Sequence, residues 1–148
     1  MIRPARPADF AAWLPLWQGY NAFYGRSGAT ALADDITAAT WARFHDPAEP
    51  MHCLVAERDG ALLGLVHFLY HRSTTALAPT CYLADLFTSA AARGQGLGRA
   101  LIEAVCAAAR SAGASRVYWQ THEGNATAQA LYDKLVARSG FIVYRIAV

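Results

Sequence analysis

A short glycine-rich segment of this sequence has the composition of an anion-binding turn. It reads Arg93-Gly94-Gln95-Gly96-Leu97-Gly98-Arg99 and lies between a predicted strand and a predicted helix. Glycines let the backbone approach a ligand closely and adopt dihedral angles that a Cβ would block. The first turn of the following helix adds unpaired N–H groups and the positive end of its dipole. Because Arg93 and Arg99 add charge-assisted contacts, the segment favours a pyrophosphate.

Two familiar phosphate motifs fit this segment poorly. The dinucleotide fingerprint GxGxxG needs a third glycine where Arg99 or Leu101 stands. The P-loop needs Gly-Lys-Ser/Thr, and the one lysine of the chain, Lys134, belongs to a different predicted helix. A nucleotide-phosphate binder and a glycine turn without a ligand remain as alternatives.

The elements that position this segment are those of a mixed α/β domain. Asp59-Gly60 predicts a hairpin turn, Asp9 and Asn125 predict helix starts, and Pro15 predicts a bend or a shortening of the first helix. The predicted strands cover the first residues and residues 52–57, 61–72, 80–88, 116–121 and 141–148. The predicted helices begin at Asp9 and cover residues 34–45, 96–112 and 125–138.

Composition limits the class of protein. The chain has 148 residues, 55% of them hydrophobic and 16% charged, which predicts one globular domain spanning residues 1–148. A net charge of +2 is too small to indicate nucleic acid or an anionic membrane as a partner. The N-terminus lacks an apolar signal core, and the three cysteines show no CxxC spacing, so we expect a reduced, cytoplasmic location.

The histidines do not predict a metal site. His67 and His71 share a strand face but are roughly 13 Å apart at 3.3 Å per residue, too far for one ion. His122-Glu123 begins an HExxH pattern, but Ala126 stands where the second histidine is needed. We therefore expect no metal.

The glycine-rich segment resembles a known family signature. It fits Arg/Gln-x-x-Gly-x-Gly/Ala, the coenzyme A pyrophosphate motif of the GNAT superfamily of N-acetyltransferases. Ile2-Arg3-Pro4-Ala5 followed by Asp9 is similar to the first strand and helix start of that family. The resemblance continues in Tyr82-Leu83-Ala84-Asp85-Leu86-Phe87-Thr88, similar to the fourth strand, and in Asn125, Ala128, Leu131 and Tyr132 followed by Gly140-Phe141.

Two branches of the superfamily are the most similar. The spermidine/spermine acetyltransferases share the Tyr-Leu-x-Asp strand, and the histone and D-amino-acid acetyltransferases resemble residues 117–121 with Glu123 and Asn125. Ala84 departs from both branches, because an acidic residue usually precedes the strand aspartate. A polycation site needs several carboxylates, so this departure argues against a polyamine acceptor.

The resemblance implies a fold, a cofactor and a set of residues. The fold is a central, mostly antiparallel sheet flanked by helices and splayed between strands 4 and 5. Acetyl-CoA, the co-substrate, would bind in that opening and give its acetyl group directly to a primary amine of a small amine, an amino acid or a lysine side chain. The implied cofactor-binding residues share this opening and the turn below it: Leu86, Phe87, Thr88, Arg93, Gly94, Gln95, Gly96, Leu97, Gly98, Arg99, Asn125, Ala128 and Tyr132.

Two residues are the candidates for proton transfer. As the resemblance implies, Tyr132 would protonate the leaving thiolate, since a phenol with a pKa of about 10 is protonated at neutral pH; ordinary core packing is the alternative for this residue. Asp85 is a carboxylate in an apolar strand, an expensive placement without a partner or a role. It could be a base, an anchor for the substrate ammonium or half of a structural salt bridge.

Two further expectations complete the sequence-based interpretation. A homodimer is expected, because related enzymes are often dimers and residues 141–148 could contribute to such an interface. The alternative to an enzyme is a non-catalytic acyl-CoA-binding or sensing module on the same fold.

Overall fold

The computed structural model describes residues 1–148 as one five-stranded sheet with helices on both faces. The strands follow the chain in the order β1-β2-β3-β4-β5; every neighbouring pair is antiparallel except β4 and β5, which are parallel. The strands are β1 (Ile2–Pro4), β2 (Met51–Arg58), β3 (Ala61–His71), β4 (Thr80–Thr88) and β5 (Arg116–Tyr118). The helices are α1 (Phe10–Phe23), α2 (Asp34–Phe44), α3 (Leu97–Ser111) and α4 (Ala126–Tyr132). None of the four combines the length and the apolar character that a membrane-spanning helix needs.

The hairpin between β2 and β3 has the turn that the sequence predicts. Asp59 and Gly60 are its only linking residues, and both have positive φ angles, of 51° and 78°. Two residues with positive φ form the tight turn whose twist matches that of the flanking strands. A register shift follows between Ala56 and Glu57, and beyond it Leu54 lies opposite Val66 at the sheet centre.

Each face of the sheet has its own apolar core. Helix α3 covers one face and buries Leu101, Val105 and neighbours against side chains of β2, β3 and β4. Helices α1 and α2 cover the other face, where Trp13, Trp17 and Leu65 form the centre of a second cluster. Since successive strand residues point to opposite faces, β3 contributes Val66 to one core and Leu65 to the other.

A β-bulge in β4 changes which residues face which helix. Asp85 lies opposite His67 and Leu83 lies opposite Phe68, so Ala84 has no opposite residue. Without the bulge, Asp85 would follow Leu83 to the α3 side, because residues two apart share a face. The inserted residue reverses that alternation. Asp85 therefore points to the α1 side.

The start of α1 differs in detail from the prediction. Asp9 makes no capping bond to the helix, because its carboxylate accepts hydrogen bonds from the Arg3 guanidinium at 2.6 and 3.0 Å and from the Arg6 amide at 2.7 Å. The helix also continues through Pro15 to Phe23, so the proline does not shorten it. Because proline has no backbone N–H, one helical hydrogen bond is missing near the start of the helix.

Helix α1 lies unusually close to β4 at one point. A Cβ built on Gly19 would lie only 2.7 Å from Cζ of Phe87. Glycine at this helix position lets the Phe87 ring contact the helix backbone itself. The next residue, Tyr20, is thereby held over β4 near Asp85.

The sheet opens between β4 and β5, as the predicted fold requires. The two strands pair only from Thr80 opposite Arg116 to Tyr82 opposite Tyr118, whereas β4 continues to Thr88. The observed strand β5, Arg116–Tyr118, is thus shorter than the strand predicted over residues 116–121. Because backbone groups of a strand point alternately to its two edges, β4 presents unpaired N–H and C=O groups beyond Tyr82.

The C-terminal predictions are wrong for this chain. Helix α4 ends at Tyr132 rather than near residue 138, and residues 141–148 form no strand. These eight residues make no backbone-to-backbone hydrogen bond, and Phe141 and Tyr144 are 93% and 88% exposed. The segment does not pair with the free outer edge of β5, so its apolar composition alone does not make it a strand.

The packing predicts a clear difference between two leucines. Leu65 is fully buried between the sheet and α1, whereas Leu77 is fully exposed in the β3–β4 loop. We expect Leu65→Ala to lower the free energy of unfolding by about 2–5 kcal/mol, because it leaves a cavity. Leu77→Ala should change it by less than about 0.5 kcal/mol. Denaturant unfolding of both variants checks this, and equal effects would contradict the packing described here.

Candidate active site

The glycine-rich turn has the geometry of an anion-binding site. Gly94 and Gly96 have φ angles of 73° and 75°, and α3 begins directly after Gly96. No backbone carbonyl accepts a hydrogen bond from any amide between Gly94 and Arg99. A Cβ on either glycine would meet only open space, so the turn faces outward. The predicted row of unpaired N–H groups is therefore present.

The side chains of the turn differ in whether they have hydrogen-bond or ion-pair partners within the protein. Gln95 is held within the protein: its amide oxygen accepts a hydrogen bond from Arg58 at 2.8 Å, and its amide nitrogen donates to the Ala91 carbonyl at 2.9 Å. Arg99 forms an exposed pair with Glu103 at 2.9 Å. Arg93 is exposed and forms no ion pair. Of these three side chains, Arg93 alone is unengaged.

The first turn of α3, which follows the glycine-rich turn, lies against α4. A Cβ on Gly98 would lie 3.4 Å from a methyl of Leu131, so the first turn of α3 packs against α4. At the start of α4, Asn125 caps the helix as predicted, since its side chain accepts from the Ala128 amide at 3.2 Å. At the other end, the half-buried Tyr132 ring packs edge-on against Trp119, with centroids 5.5 Å apart.

The electrostatics of Tyr132 keep its phenol protonated. Burial raises its pKa above the ordinary value, and the neighbouring Tyr24 raises it further. A protonated hydroxyl at this position can donate a hydrogen, which is what the predicted role requires.

On the α1 side of β4, Asp85 belongs to a chain of hydrogen bonds. Nδ1 of His67 lies 3.0 Å from Oδ2 of Asp85, and the Trp13 indole donates to Nε2 of His67 at 3.1 Å. The Asp85 side chain is 22% exposed, whereas that of His67 is 3% exposed. The carboxylate thus lies at the boundary between the core and the surface.

Tyr20 of α1, together with Tyr24 and Arg26 just after the helix, extends this group outward. Burial, followed by the nearby Asp85 carboxylate, raises the pKa of Tyr20 far above its ordinary value. The Arg26 guanidinium lies over the rings of Tyr20 and Tyr24, at 5.9 and 5.5 Å from their centroids. Arg26 Nε donates to Asn21 at 2.7 Å, while its two terminal nitrogens have no partner in the protein.

The structure places the predicted site residues in two groups around β4. The turn, α4 and the free edge of β4 along Leu86, Phe87 and Thr88 border the opening between β4 and β5. The Asp85 side chain instead points toward α1, as that of Phe87 does. Sequence reasoning missed His67 as a partner of Asp85, and it missed Arg26. A histidine in an apolar strand was visible, but only a metal was considered for it.

A cavity beside α1 does not include Asp85 or Tyr132 in its lining. It has a volume of about 710 Å³ and lies between α1, α2 and the loop that joins them. Arg26 lines it and also faces Tyr20, so this arginine connects the cavity with the group around Asp85.

Comparison with known proteins identifies the family. Residues 13–136 match the acetyltransferase (GNAT) family. The chain is 31% identical over 147 residues to the D-amino-acid N-acetyltransferase HPA3 of Saccharomyces cerevisiae, covering 98% of this chain and 89% of that protein. It is 30% identical to the uncharacterized N-acetyltransferase YhfO of Bacillus subtilis, covering 97% of this chain and 94% of that protein.

A solved structure agrees on the fold. The ribosomal-protein-alanine N-acetyltransferase of Brucella melitensis biovar Abortus 2308 superposes with a TM-score of 0.80 at 20% identity, covering 100% of this chain and 99% of that chain. The turn, the opened sheet and the family match over most of the sequence lead to one conclusion. This chain belongs to the GNAT acetyltransferase family and is an acyl-CoA-dependent N-acetyltransferase.

Proposed function

We propose that this enzyme transfers the acetyl group of acetyl-CoA directly to the amino group of a free α-amino acid, with both substrates bound at once. The observation that carries the proposal is the row of unpaired amides from Gly94 to Arg99, next to the unpaired edge of β4. These two features match the two ends of a coenzyme that carries a pyrophosphate and an amide-containing arm. When bound, the coenzyme supplies a thioester carbonyl activated toward attack by an amine.

The coenzyme site uses backbone groups more than side chains. The amides of the turn would bind the pyrophosphate, together with the free Arg93 guanidinium, while Gln95 supports the turn through its own hydrogen bonds. Backbone groups of Leu86, Phe87 and Thr88 would pair with the amide-containing arm as a further strand would. One N–H among them would stabilise the negative charge that develops on the thioester oxygen.

Tyr132 is the proposed general acid. It ends α4, about 10 Å along the helix axis from Asn125 at 1.5 Å per residue, so a coenzyme arm that passes Asn125 and Ala128 reaches the phenol at its sulfur end. As the amine nitrogen bonds to the acetyl carbon, the carbon–sulfur bond breaks and the thiolate takes the Tyr132 proton. The second proton that the nitrogen loses on becoming an amide nitrogen returns to the Tyr132 phenolate. The raised pKa of Tyr132 keeps that proton available at neutral pH.

Asp85 is the proposed acceptor of the proton from the substrate ammonium. A free amine with a pKa of about 10 is mostly protonated at pH 7, so one proton must leave before attack. Asp85 is a partly exposed carboxylate beside Tyr20, whose hydroxyl can donate to it. The carboxylate can first attract the ammonium and then receive its proton.

An α-amino acid fits the charges around the acceptor side. Asp85 and Arg26 both lie close to Tyr20, the first raising and the second lowering its pKa. A zwitterion could place its ammonium at Asp85 and its carboxylate at the free terminal nitrogens of Arg26. The D-amino-acid acetyltransferase among the relatives supports the same acceptor class.

We further propose that the enzyme is a cytoplasmic homodimer. All three cysteines are free thiols, which fits a reducing compartment. The apolar residues of segment 141–148 are exposed, and the outer edge of β5 is unpaired. A second copy of the chain would cover both features, because the segment has the composition of a strand and an open edge is a template for one.

The proposed role of Tyr132 predicts a separation of binding from turnover. Tyr132→Phe removes the hydroxyl and keeps the ring against Trp119, so calorimetric titration with coenzyme A should give nearly the same affinity. The rate of thiol release should fall by about 10²–10⁴-fold, the usual contribution of a general acid. Tyr144→Phe, at an exposed tyrosine, is the matched control. Full turnover by Tyr132→Phe would contradict the role.

The acceptor proposal predicts a selective effect of Arg26. Arg26→Gln should raise KM about tenfold or more for α-amino acids, because it removes a charged contact to the carboxylate. The same variant should leave KM for the corresponding amino-acid amides unchanged, since these have no carboxylate. Arg43→Gln, an exposed arginine in the last turn of α2, is the control. Equal effects on acids and amides would contradict the proposal.

The dimer proposal is tested by light scattering of the purified chain. The wild type should have the mass of two chains, and the double variant Ile142→Glu, Tyr144→Glu should have the mass of one, because two charges oppose burial of the segment. Leu77→Glu, which also replaces a fully exposed apolar side chain, should remain dimeric. A monomeric wild type would overturn the proposal.

A further inference from the structure

His67 is a buried polar residue that the reaction scheme above does not use. It is 2% exposed, and its ring packs against Trp17 and Phe44 with centroid distances of 5.1 and 4.5 Å. It lies on β3 directly opposite Asp85. Burying an imidazole has a cost unless both ring nitrogens have partners, and here both have one.

The two partners determine where the imidazole proton lies. The Trp13 indole can only donate, so Nε2 of His67, 3.1 Å away, must accept and cannot carry a hydrogen. The proton of the neutral ring is then on Nδ1, which donates it to Oδ2 of Asp85 at 3.0 Å. A doubly protonated ring would place two N–H donors against each other at Trp13.

The packing prevents the ring from adopting another arrangement. Aromatic side chains of both α1 and α2 contact it: Trp13, Trp17 and Phe44. A rotated ring would leave the Trp13 N–H without an acceptor in a dry interior, which is costly. The direction of the Nδ1–H bond toward Asp85 is therefore fixed by the core of the protein.

We propose that His67 is a positioning residue that acts through Asp85. Its Nδ1–H holds one carboxylate oxygen, so that the other oxygen is turned toward Tyr20 and the acceptor amine. Because that oxygen is already engaged, the other oxygen is the one offered to the ammonium. This inference rests on the proposed role of Asp85 and adds the residue that orients it.

Two substitutions at position 67 separate positioning from packing. In His67→Asn the amide nitrogen lies close to the place of Nδ1 and can still donate to Asp85, while the Trp13 N–H loses its acceptor. In His67→Gln the terminal amide lies close to the place of Nε2, so Trp13 keeps an acceptor and Asp85 loses its donor. Each variant thus breaks one of the two hydrogen bonds.

The expected result is a difference in catalysis without a matching difference in stability. His67→Gln should lower kcat/KM by about ten- to a hundredfold, the usual effect of losing a hydrogen bond to a charged group. His67→Asn should stay within about threefold of the wild type, although its Tm falls at least as far. In an Asp85→Asn background, His67→Gln should have no further effect, because it acts through the missing carboxylate.

The outcomes distinguish this inference from the proposed function. If Asp85→Asn is fully active, the proposed role of Asp85 is wrong, and the inference is wrong with it. If Asp85→Asn is impaired but the two His67 variants lose activity equally and in proportion to stability, the role of Asp85 stands and His67 is only structural. If His67→Gln lowers kcat/KM as much in the Asp85→Asn background as in the wild type, His67 is likewise only structural.

The wild-type chain gives an independent check that needs no folded variant. Nitrogen-15 NMR of the imidazole separates a protonated from an unprotonated ring nitrogen. For His67 we expect a protonated Nδ1 and an unprotonated Nε2 at neutral pH. A proton on Nε2 would overturn the inference, because Nδ1 could then not donate to Asp85.

Discussion

The bulge at Ala84 is the constraint on which the arrangement of the site depends. β4 is paired along its length with β3, so its side chains would alternate strictly between the two cores. One inserted residue reverses that alternation and turns Asp85 from the α3 core to His67 and α1. As a result, the free edge of β4 and its α1 face present different groups. Its open edge faces the opening beside β5, and its α1 face carries the ionisable groups.

Much of the fold could be predicted from local signals. The Asp59-Gly60 turn, the Asn125 cap and the limits of α3 depend on residues close together in the sequence, and the structure confirms all three. The glycine-rich turn is equally local, because glycine permits the positive φ angles observed at Gly94 and Gly96. These are the features for which neighbouring residues alone decide the conformation.

Features that depend on distant residues were not visible in the sequence. Strict alternation places Asp85 with Leu83, and nothing in residues 80–88 marks the bulge that separates them. The bond from His67 to Asp85 joins residues 18 apart, and the bond from Trp13 to His67 joins residues 54 apart. The strand predicted over residues 141–148 failed for a similar reason, since composition gives strand propensity but supplies no partner.

The close contact between Gly19 and the Phe87 ring has a consequence for how this enzyme could diversify. The spacing between α1 and β4 is set there by a hydrogen atom in place of a side chain. A methyl group at position 19 would act as a wedge and lift the helix, moving the Tyr20 hydroxyl relative to the carboxylate below it. One position on α1 thus sets the spacing between this helix and β4, and with it the separation of Tyr20 from Asp85 in the proposed acceptor site, without altering the glycine-rich turn.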